Sequence, residues 1–519
     1  MARGIQRVLL ATLKLLTVML VLVLMIVVFR TATFPSYQTS PPECKNTDPD
    51  FIPADEERLA RFTSAIQFQT VSYKRGVGTP QELLKFIRFI QKSFPKIHSS
   101  PLIRRDVVGN YSLLYRVEGA DASLQPYMLA SHLDVVPITE EENWEVPPFS
   151  GQVKDGCIYG RGTIDDKHNV MGSLEALEFI LSRGHQPKRT LYLAFGHDEE
   201  TGGHFGAKVI SDVLTQRGEK LAFILDEGTP VGDGLLPGVS QLVGLVSVAE
   251  KGFLQLRLEV NEEGGHASMP RSESAIGILS KAISKLEDNP HPSMFGTGPE
   301  ARMLEHVATE MTLPYRTLAS NLWLFSPLVA WMYAKKPQTN ALARTTTALT
   351  RFNAGVKDNV ISPEAVAVID HRIHPMLSVE EVMDFDLKVI NDPRVKVTVI
   401  DSRQPSPTSP YGMDSPTYML LQETIQQVGT FFTASLLSTL TPAFMVGFTD
   451  TGHYLNLSSA IYRFNPLVMT PSDLPRFHGV NERISVQNYE RVMNFYYHLI
   501  VNMDKPLDVK GRHTHEDEL

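Results

Sequence analysis

The sequence predicts an α/β fold with a mostly parallel sheet, interrupted by a smaller α+β unit of ferredoxin-like type. Three observations predict it. Short apolar runs of strand type, Tyr127–Ala130, Thr190–Phe195 and Leu221–Leu225, are separated by helical stretches such as Val170–Leu181. Near Ser247 this alternation gives way to Lys251–Val260, which alternates apolar and polar as a half-exposed strand does. From about Asp401 the first pattern resumes and runs to Met503. At 519 residues the chain is also too long for one ordinary core.

At the amino end, Arg3 and Arg7 precede Val8–Phe29, an apolar run whose only charge is Lys14. Its uncharged part, Leu15–Phe29, reaches the upper end of a signal-peptide core, and the whole run approaches a membrane span. Residues 1–34 therefore read as a signal peptide or a retained signal-anchor. Both place the body outside the cytosol, secreted or on the luminal side of a membrane, because the basic end stays inside. Sequons at Asn110 and Asn456 fit that placement. Residues 35–54, rich in Pro, Thr and Asp, read as a linker.

An amphipathic helix from Glu56 opens the first part of a catalytic domain, 55–245. The inserted unit, 246–401, carries helices at Ser274–Leu286 and Val379–Ile390 and strands at Ala365–His371 and Val395–Ile400. Between its halves lies Pro290–Thr339, containing many Pro, Trp and Met residues. Residues 402–505 complete the catalytic domain. Residues 506–519 form an acidic tail whose last five, His515–Leu519, resemble an endoplasmic-reticulum retrieval signal with Glu in an unusual position; a solvated tail is the simpler reading. The net charge of −9 and the lack of a long basic run argue against nucleic acid as a partner. Two cysteines, Cys44 and Cys157, cannot build a disulfide framework.

Four acid-containing turns carry the chemistry. The first, Ser131-His132-Leu133-Asp134, follows a strand; His132 and Asp134 face the same side, so Asp134 can orient the imidazole. The second, in Tyr159–Asn169, uses a Gly-Arg-Gly turn to deliver Asp165 and Asp166 to the mouth of a helix. Two adjacent carboxylates repel, and a metal ion offers far more positive charge than a helix terminus. The third, Gly196–Gly203, contains Asp198, Glu199 and Glu200; the fourth is Asp226-Glu227-Gly228. Each alone is a solvated turn or a cap, but four in one α/β pattern point to bound cations.

These turns resemble the zinc-dependent aminoacylase and carboxypeptidase family of metallopeptidases. The order His-x-Asp, Gly-Arg-Gly…Asp-Asp, Glu-Glu, Asp and a late His is present over roughly Glu56–Met503. The resemblance implies two Zn2+ ions bridged by Asp165, with His132 and Asp226 on one and Glu200 and His478 on the other. His478 lies in Arg476–Glu482, similar to the family's late His-Gly-x-Asn-Glu motif. It further implies a cis Asp165–Asp166 bond, Glu199 as general base and acid, and His266 as a donor from the inserted unit, supplied by the other subunit in dimeric members. Asn359 and Arg372 match its substrate-carboxylate positions, although Ser362 intervenes before Pro363 where the family has proline directly.

Further stretches, Trp144–Gly151, Thr339–Ala341, Arg344–Thr350 and Ile461–Phe464, resemble the secreted branch that joins or splits long-chain fatty acids and amino acids. The partners so implied are fatty acids, amino acids and N-acyl amino acids, with membrane or lipoprotein association and a homodimer through the inserted unit both compatible. The apolar stretch Asn321–Tyr333 fits either core or the wall of an acyl channel. Two other readings stay open: a dipeptidase or short-chain aminoacylase with the same site, and an inactive, membrane-anchored binding protein.

Overall fold

A computed structural model describes residues 2–39, 49–431 and 439–507. Cys44 and the acidic tail from residue 508 lie outside the described residues. The chain starts with α1 (Ala2–Thr33), whose apolar side chains are exposed along most of its length. Six strands of a large sheet follow: β1 (Ile103–Val108), β2 (Ser112–Val117), β3 (Tyr127–His132), β4 (Leu191–Gly196), β5 (Ile224–Gly232) and β6 (Val243–Glu250). A second sheet then intervenes, made of β7 (Gly252–Asn261), β8 (Thr346–Ala354), β9 (Glu364–Ile373) and β10 (Lys396–Arg403). Strands β11 (Thr439–Met445) and β12 (Ile461–Met469) return to the first sheet.

The large sheet runs β11-β6-β12-β5-β3-β4-β2-β1. Its centre is parallel, β12 with β5 and β3 with both β5 and β4, while β1, β2 and β4 pair antiparallel at one side. The sheet is therefore mixed, with the expected parallel part confined to its middle and one outer pair, β6 with β11. Helices α2 (Lys167–Ser182) and α8 (Val486–Asn502) cover one face, and α3 (Ala207–Gln216) covers the other. The near-continuous apolar runs of β3 and β4 follow from burial on both faces. Gly172 of α2 permits close packing with α8, since a Cβ there would lie 2.4 Å from Val492 Cγ1.

The four-stranded sheet has the order β8-β9-β7-β10, the ferredoxin-like arrangement. Helices α4 (Ala275–Asp288) and α7 (Val379–Ile390) pack on one face over a core separate from the large one. Both helices start at a serine cap: Ser274 accepts from the Gly277 N–H, and Ser378 forms a capping box with Glu381. Strand β8, at the edge and largely exposed, has no clean apolar alternation, which is why its sequence does not announce a strand.

Between α4 and β8 the insert supplies α5 (Tyr315–Ser320) and α6 (Leu322–Tyr333). These pack with Phe34 and Val239 in a further apolar cluster. The start of the insert is tied to the small sheet by a buried trio. Asp386 of α7 accepts from His291 Nε2 at 3.1 Å, and His371 Nε2 of β9 lies 2.7 Å from its other oxygen.

Candidate metal centre

Strands β3, β4 and β5 are mutually parallel around β3, so their carboxyl ends meet on one edge of the sheet, where open α/β sheets place their sites. His132 is the last residue of β3. Asp198, Glu199 and Glu200 follow β4, and the acidic pair of β5 lies just past its start. The turn before α2 brings Asp165 and Asp166 across this edge, and their peptide bond is cis.

Asp165 is the centre of the arrangement. One oxygen lies 2.8 Å from His132 Nε2 and the other 2.9 Å from His478 Nε2. Glu227 Oε1 stands 3.4 Å from the first imidazole nitrogen, and Glu200 Oε2 stands 3.4 Å from the second. Two adjoining groups of ligand type thus share one carboxylate: His132, Asp165 and Glu227, and Asp165, Glu200 and His478. Glu200 Oε1 is buried without a hydrogen-bond partner, as expected of an atom aimed at a cation. A set of nitrogen and carboxylate donors with no thiolate fits a divalent metal such as zinc.

The electrostatics need those cations. Burial, with Asp165 and other acids close by, holds the Glu200 carboxyl well above its usual range, and burial does the same to Glu199 beside Glu227 and Glu200. His132 is held above the ordinary imidazole value despite its burial, by Glu227, Asp134 and Asp165. So many acids in a dry pocket cannot all ionise without positive charge.

Asp134 has two jobs. It lies 3.4 Å from His132 Nδ1, whose ring also meets the Asp134 carbonyl at 3.0 Å. Its carboxylate accepts from the Glu199 N–H at 3.1 Å and the Glu200 N–H at 3.3 Å, fixing the loop that carries both glutamates.

The acidic pair of β5 is placed differently from the expectation, although Asp226 Oδ2, like Glu200 Oε1, is buried without a hydrogen-bond partner. Glu227, not Asp226, joins His132 and Asp165. The expected strand ending at Leu225 continues through both acids, and neighbours in extended chain point to opposite sides. Asp226 instead accepts from the Glu227 N–H at 2.9 Å and lies beside Arg463 of β12 in register.

Two further carboxylates were not singled out by spacing. Glu482 Oε1 accepts from the N–H groups of Gly162, Ile164 and Asp165 at 3.0, 2.7 and 3.2 Å, and its other oxygen accepts from Arg161 at 2.5 Å. Arg161 also donates to the His478 carbonyl at 3.0 Å, so the late motif and the Asp-Asp turn are held as one piece. Asp450 is buried against the backbones of Gly196 and Gly203, where a Cβ would meet its oxygens at 2.5 and 2.1 Å. Glu482 had a signal in the late motif; Asp450, in Thr449-Asp450-Thr451-Gly452, had only an acid in a turn.

The remaining expected residues lie in the inserted unit. His266 is exposed on a two-residue ladder with Val360, its Nδ1 2.7 Å from Ser268 Oγ. Asn359 adjoins it, its carbonyl accepting from the Ala267 N–H at 3.2 Å. Neither is brought to the metal groups within one chain, among the described residues. Arg372 of β9 lies over the Phe448 ring at 5.2 Å and donates to Asp370 at 2.9 Å.

The pattern of peptidase family M20/M25/M40 matches residues 128–502. The N-fatty-acyl-amino acid synthase/hydrolase PM20D1 of Xenopus tropicalis is 48% identical over 454 residues, covering 87% of each chain. Among solved structures, the M20 metallo-carboxypeptidase Sso-CP2 of Sulfolobus solfataricus superposes with a TM-score of 0.63 at 15% identity, covering 87% of this chain and 99% of its own. The YXEP protein of Bacillus subtilis, described as a dinuclear metal-binding M20 peptidase, superposes with a TM-score of 0.52 at 12% identity, over 86% and 98%.

Proposed function

The chain belongs to peptidase family M20/M25/M40, and from that premise we propose that it is a zinc-dependent amidohydrolase that joins and splits long-chain fatty acids and amino acids. The observation that carries the family chemistry is the shared carboxylate of Asp165 between two His-and-Glu groups. His132 and Glu227 would hold one zinc and Glu200 and His478 the other. Zinc bound there would supply Lewis acidity at neutral pH without redox chemistry.

The chain's own residues do the proton work. Glu199 would accept a proton from the attacking water and return it to the departing amine nitrogen. A carboxyl pushed upward by burial suits a group that must hold a proton between two steps. Asp134 keeps His132 in one tautomer and fixes the Glu199 backbone, so both stay aimed. His266, exposed beside Asn359, would complete the oxyanion environment from a second copy of the chain in a homodimer through the inserted unit. Arg372 would take the substrate carboxylate.

The long-chain reading is supported by an apolar cavity of about 440 Å³ lined by residues such as Leu235, Leu304, Met311, Leu318 and Phe444. It reaches Thr229, two residues beyond Glu227, and Leu474, four residues before His478. A cavity of this size and character takes a drug-sized apolar group. Each methylene buried there contributes roughly 0.8 kcal/mol. With metal-replete protein, hydrolysis of oleoyl-phenylalanine is therefore expected to exceed that of acetyl-phenylalanine and of dipeptides in kcat/KM. Rates that fall as the acyl chain lengthens would favour a short-chain aminoacylase or dipeptidase instead.

A further inference from the structure

Helix α6 is apolar all round, which a helix at a water-facing surface is not. One side, Val329 and Tyr333, lines the apolar cavity. The other side is bare: Trp323 is 54% exposed and Trp331 59%, with Leu324 and Leu328 between them also open. Positions 324, 328 and 331 follow the helical repeat, so these residues form one stripe.

The same corner of the molecule receives α1. Its stretch Ile5–Thr33 is 29 residues, more than the roughly 20 that span a bilayer. Only its end is held by the body. Asn321, immediately before α6, donates to the Val27 carbonyl at 3.3 Å and to Thr31 Oγ1 at 3.0 Å, and Arg316 of α5 donates to the Thr31 carbonyl at 3.2 Å. Arg30 donates to the Ser320 carbonyl at 3.4 Å. Val27 is buried by these contacts, while most of the large apolar side chains nearer the amino end stand 46–66% exposed, as lipid contact requires. Cationic groups rim the patch: Arg30, Arg316 and Lys335, whose ammonium lies 4.6 Å from the Trp331 ring centroid. Tryptophan with flanking Lys and Arg is the composition of a membrane interface.

We propose that α6 lies in the membrane surface beside the spanning helix α1, and that long acyl chains pass between the bilayer and the cavity across this single helix. The occupant of the bare stripe is lipid, because the spanning helix is held at Asn321, whose Oδ1 accepts from Trp323 Nε1 at 3.2 Å, so the bilayer it crosses begins at the first residues of α6. The acyl-delivery half rests on the amidohydrolase reading above; the membrane-contact half does not.

The chain has three tryptophans, and the third, Trp144, is buried far along the sequence in the catalytic part. Full-length protein in phosphatidylcholine vesicles whose acyl chains carry bromine should therefore lose tryptophan emission relative to unbrominated vesicles. The W323F/W331F double variant should lose that quenching while still floating with the vesicles. Equal emission in both vesicle types, with the protein shown to float, would overturn the membrane contact. The W323E/W331E variant should cleave acetyl-phenylalanine in solution at the wild-type rate but lose rate on oleoyl-phenylalanine presented in vesicles. An unchanged rate on the vesicle substrate would overturn the delivery step, and a wild-type protein inactive on every amide would instead sink the enzymatic reading with the quenching result still standing.

Discussion

Glu199 and Glu200 are adjacent, held by the same Asp134 carboxylate, and yet do different things. Glu200 reaches the His478 nitrogen, whereas Glu199 is outside both ligand groups and buried among acids. Replacing Glu199 with Gln keeps the shape and removes the proton acceptor. The expected outcome is a loss of about 10²- to 10⁴-fold in kcat with metal content and KM little changed, read by steady-state kinetics and metal analysis. Unaltered kcat would remove Glu199 from proton transfer. At this scale the sequence was legible for His132, Asp134, Asp165, Glu200 and His478, because each occupied a family turn. It pointed to Asp226 where the structure groups Glu227 with His132 and Asp165, because strand β5 starts later and runs further than its apolar residues indicate. The choice between two neighbouring acids is made by strand phase, which composition does not carry.

Elements are joined here by carboxylates that accept backbone N–H groups. Glu482 fastens the Gly162–Asp165 turn to the segment bearing His478, and Arg161 is fully buried against it. Removing the acid leaves a guanidinium uncompensated in the interior, which costs about 3–5 kcal/mol. Glu482→Ala is expected to shift the urea midpoint accordingly and to weaken metal retention, whereas Glu482→Gln keeps part of the N–H acceptance and loses less. A variant as stable as wild type would mean that the turn holds itself. Glu250 plays a similar part between β6 and β12, accepting from Thr449, Ser406, Thr451 and Arg463. Most helices and inner strands were legible from periodicity. Edge strand β8 was not, since exposure on both faces erases the alternation that marks a strand.

For the whole molecule, the acids that await cations set the pH dependence of the metal-free state. Burial beside Glu227 pushes the Asp226 carboxyl up to about 7, and burial holds Glu199, Glu200 and Asp450 well above their ordinary values. Such groups keep protons in the folded chain that the unfolded chain has already lost. Stability therefore falls as pH rises from the ordinary carboxylate range towards 7. Histidines pushed down by burial, His168 to about 3 and His98, His197, His204, His306 and His453 in the same direction, oppose this below their ordinary value, while the raised acids, Asp166 among them, hold their protons across the whole interval. Chelated protein is expected to melt at a higher temperature at pH 5.5 than at pH 7. Metal-loaded protein should show the reverse, because its ligands must be deprotonated to bind. Parallel trends in the two forms would contradict the electrostatic account, and calorimetry reads the difference.

Metal bound per chain is the most direct measure of whether one carboxylate serves two cations. Wild-type protein should carry two zinc ions. Glu227→Gln should carry one, Asp226→Asn should still carry two, and Asp165→Asn should fall below one because both groups lose their common ligand. Two ions retained in Asp165→Asn, or a loss in Asp226→Asn with none in Glu227→Gln, would contradict it.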